Sequence, residues 1–249
     1  MPATRIEPLQ ELRHRLATAD AAPLYQRIAH TLKTAILEGK LYPQGTLPPE
    51  RELAQGLGVA RTTVRKALQQ LQEEGLVIRH KGSGSYIAPS IEQPLAKLTS
   101  FSQDIARHGL QGGVIWLERE RGLPTSEEGF SLGLSPDSEV VRLRRIQTAD
   151  AQPIALQFTV LPASVLADPH SVDQSLYKRL TELGRHPDRA LQTLRGGAAT
   201  PQEAKLLNIG EGTPVFHIQR LAYCRAQPIE LTRSVYRGDR YEFTVEMKA

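Results

Sequence analysis

Apolar residues recur at helical spacing over roughly the first 75 positions, then give way to short β-prone runs. Residues 1–22 carry Ile6, Leu9, Leu12 and Leu16 at a helical period. This predicts a short peripheral helix, the alternative being an arm against DNA or a partner. From about Pro23 to Glu38, Leu24, Tyr25, Ile28, Leu32, Ala35 and Ile36 form one apolar face, and Gly39 marks its stop. The run LPPERELAQGLGVARTTVRKAL, Leu47 to Leu68, reads as two helices joined by a tight turn. Pro48-Pro49 suits a first helical turn, where the N–H that proline lacks is not needed. Leu53, Ala54 and Leu57 share a face, and Gly56 with Gly58 is expected to end it. Val64, Ala67, Leu68 and Leu71 restart the pattern at i, i+3, i+4, i+7, and Gly75 closes it.

The polar side of the second helix holds Arg61, Thr62, Thr63, Arg65 and Lys66. These residue types grip phosphates and reach base edges in a major groove. A solvated surface helix is the competing reading. Directly after it, LVIRHKGSGSYIA (76–88) predicts a β-hairpin with the glycine-rich basic tip His80-Lys81-Gly82-Ser83-Gly84. In that position such a hairpin is a wing, able to bring Arg79, His80 or Lys81 to the neighbouring minor groove.

Residues 89–97, with two prolines and few apolar anchors, read as a linker. The segment 98–249 that follows contains an internal repeat. Residues 128–162 align without gaps on 203–237 with ten identities, including Arg145/Arg220, Gln152/Gln227 and Pro153/Pro228. Each copy reads as short helix, strand, tight turn, strand. Two such hairpins predict one pseudo-symmetric antiparallel sheet with helices on one face, and Tyr241 to Val245 adds a last strand. The fold class expected is α+β: residues 23–88 a winged helix-turn-helix, residues 98–249 an antiparallel-sheet sensor domain.

Charge sharpens this division. Residues 21–89 hold nine Lys/Arg against five Asp/Glu, which accounts for the whole net charge of +4 and leaves the remainder neutral. A basic first domain on a neutral second fits a nucleic-acid module joined to a binding module. One cysteine, Cys224, excludes an internal disulfide framework and gives no support to a cysteine-built zinc site. With no long apolar run and no signal-peptide core, a cytoplasmic, membrane-free protein is expected.

No nucleophile–base constellation, metal-spaced histidine pair or phosphate-cradling glycine loop is present, so no cofactor and no metal are expected; Gly109, Gly112 and Gly113 read as loop punctuation. What remains suits a small anion. Thr99, Ser100 and Ser102 surround the start of a short helix, where they either bind an anion or simply cap it. Arg145 and Gln147 share a face of an otherwise apolar strand, so Arg145 requires a partner: a ligand phosphate, or a carboxylate such as Glu230.

The motifs LPPERELA, VARTTVRKAL, EEGL and KGSGSYI, with LTSFSQDIARHG, RRIQTADAQPIALQFTVLP, SLYKRL and PIELTRSVYRGDRYEF, closely resemble the GntR family of bacterial transcription regulators in its HutC branch. The resemblance implies a homodimer on a pseudo-palindromic double-stranded DNA operator, usually a repressor, controlled by a small effector in a domain of chorismate-lyase-like fold. It implies that Arg51 and Arg61 read guanines and that Thr62, Thr63 and Arg65 hold phosphates, with Gly82 at the minor groove and Lys66 and Lys81 also among the DNA-binding residues. Ala60 stands where the family usually has serine, which removes a helix cap.

By resemblance to sugar-phosphate-responsive members, Thr99, Ser100, Phe101, Ser102, Arg145, Ser175, Tyr177, Glu230 and Tyr236 would form the effector pocket. Gln147 stands where a second arginine is usual and Gln157 where a glutamate is usual. N-acetylglucosamine 6-phosphate is the leading effector. A different phosphorylated sugar, a phosphonate or a small carboxylate is the alternative, and a lyase-type enzyme on the same sheet a further one.

Overall fold

The computed structural model describes residues 7–16, 22–37, 46–80, 84–88, 90–95 and 97–247. They fall into two units divided between Pro89 and Ser90. The expected wing-tip residues Lys81 and Gly82, with Ile6 and Gly39, lie outside the described residues.

In the first unit, helices α1 (Glu7–Leu16), α2 (Leu24–Leu37), α3 (Glu50–Leu57) and α4 (Arg61–Glu73) precede the hairpin β1 (Val77–His80) and β2 (Gly84–Ile87). Leu12, Ile28, Leu32, Leu53, Val64, Leu68 and Leu71 form one buried cluster. Removing one of these, as in Leu68→Ala, costs about 2–5 kcal/mol. The N-terminal segment therefore contributes α1 to this core, through Leu12, and is not a free arm.

Gly56 is a correction to the expected turn. It lies inside α3, and a Cβ there would meet Leu9 Cδ1 at 2.7 Å, so its smallness lets α1 approach. Gly58 alone caps α3, at φ 69°. Ala60 begins α4 with no side-chain cap. Leu47 N–H donates to Ser85 O, which runs the chain entering α3 alongside the hairpin.

The second unit contains β3 (Ile91–Pro94), α5 (Phe101–Arg107), β4 (Gly112–Gly122), α6 (Ser126–Leu132), β5 (Val140–Ala149), β6 (Gln152–Pro162), α7 (Leu176–Glu182), β7 (Arg189–Ala198), α8 (Pro201–Leu207), β8 (Pro214–Cys224), β9 (Gln227–Arg237) and β10 (Tyr241–Thr244). Six strands form one antiparallel sheet in the order β4-β5-β6-β9-β8-β7. The sequence repeat is its symmetry. Thr125 with Glu128 and Thr200 with Glu203 make matching capping boxes. Asp150-Ala151 and Arg225-Ala226 turn the two hairpins with positive φ at both positions. Phe158 pairs with Arg233 at the centre, where the two copies exchange.

Three expectations are corrected here. Helices cover both faces: α6 and α8 pack with Val140, Val160, Val215 and Leu231, while α5 and α7 pack on the face carrying Val141, Leu143, Ala155 and Tyr236. A sheet whose strands are apolar on both sides needs this cover. Gly112 and Gly113 are not loop residues but begin β4, where a Cβ on Gly113 would meet Thr148 Oγ1 at 2.7 Å. The stretch 89–97 is not free chain, because β3 pairs in parallel with β10, Ile91 against Tyr241. The buried Ile91 side chain holds it there. No helix among the described residues is long and apolar enough to cross a membrane.

Candidate functional site

Two surfaces carry the predicted residues, one in each unit. In the first unit, burial of Val64, Ala67, Leu68 and Leu71 turns Arg61, Thr62, Arg65 and Lys66 to solvent, with Thr63 half-buried at the edge. Arg51 is exposed on α3.

A carboxylate missing from the predicted set organises this face. Glu50, first residue of α3, accepts from Arg61 Nε at 3.1 Å, Arg65 Nη2 at 3.3 Å and Arg79 Nη2 at 2.7 Å. Burial works against its charge, but the hydrogen bonds from Arg65 and Arg61 prevail and hold its carboxyl below the usual range. Arg61 engages Glu50 through Nε, and its side chain is otherwise largely exposed. The signal for Glu50 was its place at the start of a helix preceding a basic one.

In the second unit, a cavity opens on the α5/α7 face of the sheet. It is lined by all the predicted effector residues except Thr99, namely Ser100, Phe101, Ser102, Arg145, Gln147, Gln157, Ser175, Tyr177, Glu230 and Tyr236. Strand alternation explains why: Arg145 and Gln147 on β5, Gln157 on β6, Glu230 and Tyr236 on β9 share this face. Thr99 stands behind the wall, its carbonyl accepting from Arg220 and its hydroxyl from Gln93 Nε2 at 3.2 Å. Ser100 caps α5, in line with the capping reading, and Ser175 caps α7. The cavity measures about 40 Å³, close to the space of a single water molecule. Anything larger than a water molecule fits only if lining groups move apart.

The cavity's polar groups form a chain. Arg145 Nε donates to Gln157 Oε1 at 3.3 Å, Gln147 Nε2 to the same oxygen at 2.9 Å, and Gln157 Nε2 to Tyr236 Oη at 3.1 Å. Arg145 does not form the alternative ion pair with Glu230. Its Nη1 and Glu230 Oε2 are both buried without a hydrogen-bond partner, a costly state for any buried ion. Burial lowers the Arg145 guanidinium to about 10, against the pull of Glu230, so it remains charged at neutral pH.

Arg220, at the place of Arg145 in the second copy, also lines the cavity, as do Thr159, Thr232 and Ser234. Arg220 was legible as an identity of the repeat but was not assigned to the site. It donates to Gln192 Oε1 at 2.7 Å and to Tyr177 Oη at 3.2 Å. Burial opposes its charge, yet Tyr177, Tyr236 and Glu230 together raise its affinity for the proton, while burial raises Tyr177 itself.

A larger groove of about 650 Å³ lies on the opposite face, lined by Arg144, Phe158, Glu203, His217 and Arg233 among others. Two of its charged residues are engaged, Glu203 with His217 at 3.2 Å and Arg233 with Glu127. None of the buried unpartnered polar atoms belongs to it. Volume alone does not make it the effector site. Among the described residues no cluster of His, Cys, Asp or Glu could hold a metal ion.

A helix pair with an exposed basic face, followed by a hairpin and a separate sheet domain with a charged cavity, defines a ligand-responsive DNA-binding protein. Comparison with known proteins places it more narrowly. Residues 24–87 match the family of bacterial regulatory proteins, gntR family, and residues 107–242 match the UTRA domain. The chain is 37% identical to the HTH-type transcriptional repressor NagR of Bacillus subtilis, over 89% of this chain and 93% of that one. It is 30% identical to the HTH-type transcriptional regulator GgaR of Escherichia coli, over 99% and 100% of the two chains. The crystal structure of PhnF from Mycobacterium smegmatis is similar over 89% of this chain and 99% of that one, with 32% identity and a TM-score of 0.62. The chain belongs to the GntR family, in its HutC branch, and is a transcriptional regulator, not an enzyme.

Proposed function

We propose that this regulator is a cytoplasmic homodimeric repressor of a catabolic operon, released from a pseudo-palindromic operator by a small phosphorylated sugar. N-acetylglucosamine 6-phosphate is the compound to test first. One observation carries the effector reading: Arg145 Nη1 and Glu230 Oε2, both buried and unpartnered, line one cavity. Together they call for a ligand bearing an anion and, elsewhere on the same molecule, hydroxyl or amide donors. A sugar phosphate has both. Ser175, Tyr177 and the loop after Leu98 stand with Arg145 for the phosphate, Glu230 and Tyr236 for the sugar.

On DNA, Arg51 and Arg61 are the proposed guanine readers, and Thr62, Thr63, Arg65 and Lys66 the phosphate contacts, with Lys81 and Gly82 at the wing tip. Dimerisation follows the family habit. It is further supported by exposed apolar residues on the sheet domain, Phe130 at 91% and Leu191 at 64%. The signal path we propose is short. Gln93 of β3 donates to the Thr99 hydroxyl, and Arg220 of the cavity holds the Thr99 carbonyl. A lining that opens for a ligand therefore moves the strand that follows the wing.

A thermal-shift panel of phosphorylated sugars, phosphonates and carboxylates tests this. A ligand at ~100 times its dissociation constant adds about 2.7 kcal/mol of stability. Gln147 leaves β5 a single cavity arginine, which a small carboxylate also satisfies, and stabilisation by carboxylates alone would favour that reading.

A further inference from the structure

The two outer strands of the sheet are not equivalent, and the difference falls beside Arg145. Strand β7 pairs with β8 in unbroken register, whereas β4 carries a bulge between Trp116 and Glu118. The extra residue shifts the alternation, so Trp116, opposite Arg145, and Arg119, opposite Leu143, both lie on the cavity's face of the sheet. Without the bulge, residues three apart would point to opposite sides. On the symmetric side the place of Trp116 is taken by Gln192, which binds Arg220 directly.

The bulge builds a second pocket of about 340 Å³, lined by Trp116, Arg119, His170, Ser171, Asp173 and Gln174 among others. Gln174 lines both this pocket and the inner cavity. The Trp116 ring lines the outer pocket, with Arg119 Cζ 4.1 Å and Arg145 Cζ 5.5 Å from its centroid. Two guanidinium groups on one indole make a short cationic ladder from the inner cavity to the outer pocket. Arg145 itself lines only the inner cavity and meets the outer pocket through the Trp116 ring.

We infer that the outer pocket is a subsite for a unit attached beyond the effector's phosphate, so that the preferred ligand is a sugar whose phosphate is bridged, as in a nucleoside diphosphate hexose. This rests on the phosphate reading of Arg145. A bridged phosphate would present one anionic group to Arg145 and a second to Arg119, which now donates only to the Val172 carbonyl at 3.5 Å. The second unit meets the polar groups of His170, Ser171, Asp173 and Gln174.

The test is calorimetric titration of the full-length protein with uridine and adenosine diphosphate glucose, glucose 1-phosphate and N-acetylglucosamine 6-phosphate. Fluorescence of Trp116, the chain's single tryptophan, is read alongside. The inference expects a bridged ligand to bind at least about tenfold tighter than either monoester, as an added charge-assisted contact allows, and to change Trp116 emission. Arg119→Gln should remove that advantage and leave monoester affinity unchanged, with Arg119→Lys keeping part of it. Monoesters binding as tightly as bridged ligands, or an Arg119→Gln loss equal for both classes, would overturn the outer subsite and leave the phosphate reading standing. If no phosphorylated compound binds, the phosphate reading fails and the inference with it.

Discussion

Arg145 and Arg220 occupy the same place in two copies of one structural repeat and line one cavity, yet Arg220 is hydrogen-bonded to Gln192 and Tyr177 while Arg145 keeps Nη1 without a partner. Symmetry supplied two buried cations, and divergence of the neighbouring strands left one of them available. The roles predicted for the pair differ accordingly.

Arg220→Ala should lower the melting temperature, because it leaves the Thr99 carbonyl, Tyr177 and Gln192 without a shared donor. Loss of such a buried network costs on the order of 1–3 kcal/mol. Arg145→Gln should leave the melting temperature near the wild-type value or above it, since it removes an incompletely partnered buried charge. Differential scanning calorimetry of both variants separates these outcomes, and equal destabilisation would contradict the division of roles.

Arg61→Ala should weaken specific operator binding with little change in melting temperature, because Arg61 is exposed. The loss expected for one bidentate guanine contact is about 1–3 kcal/mol, with relaxed specificity at one base pair. Glu50→Gln should weaken the same recognition more mildly by loosening Arg61, Arg65 and Arg79, and should strengthen non-specific binding by removing a negative charge near the phosphates. Fluorescence anisotropy on operator and scrambled duplexes, over a salt series, reads both effects. An unchanged specificity ratio in Arg61→Ala would remove it from the recognition set.

The Glu128–Arg142 pair predicts an acid limb of stability. Hydrogen bonds from Arg142 hold the Glu128 carboxyl below its ordinary 4.5 despite burial. A group depressed in the folded state contributes stability above its unfolded value and loses it as pH falls through the folded one. Glu128→Gln should therefore be less stable than wild type at pH 7 and lose less on acidification below about pH 4.5. Urea melts between pH 7 and pH 3 check this, and parallel curves would contradict it.

Gln93→Leu should uncouple effector from operator. It removes the Gln93–Thr99 hydrogen bond between β3 and the loop leading to the cavity. Effector affinity by calorimetry should hold within a few-fold, while ligand-induced loss of operator binding shrinks. Full retention of the response would place the coupling elsewhere.

Much of this architecture was readable in the chain. The helix pair was legible because its apolar positions keep helical spacing, and the hairpins because Ala-Gln-Pro-Ile recurs at both turns. Site residues on β5, β6 and β9 followed from motif resemblance. Three things were hidden. Gly56 looks like a stop signal, but its cause is a contact with Leu9, 47 positions away in the chain. The pairing of β3 with β10 joins segments 150 residues apart, and the prolines in that stretch imitate a linker. The bulge that turns Arg119 to the cavity's face has no local signature, because register is set by the partner strand β5.

The central claim is that Arg145 couples a phosphorylated ligand to operator release. The most direct measurement is anisotropy of an operator duplex with wild type and Arg145→Ala, each titrated with N-acetylglucosamine 6-phosphate and with a nucleoside diphosphate hexose. Wild type should release the operator with at least one of them, while Arg145→Ala should bind the operator with unchanged affinity and stay bound throughout. Release of Arg145→Ala at the same ligand concentrations as wild type would contradict the claim.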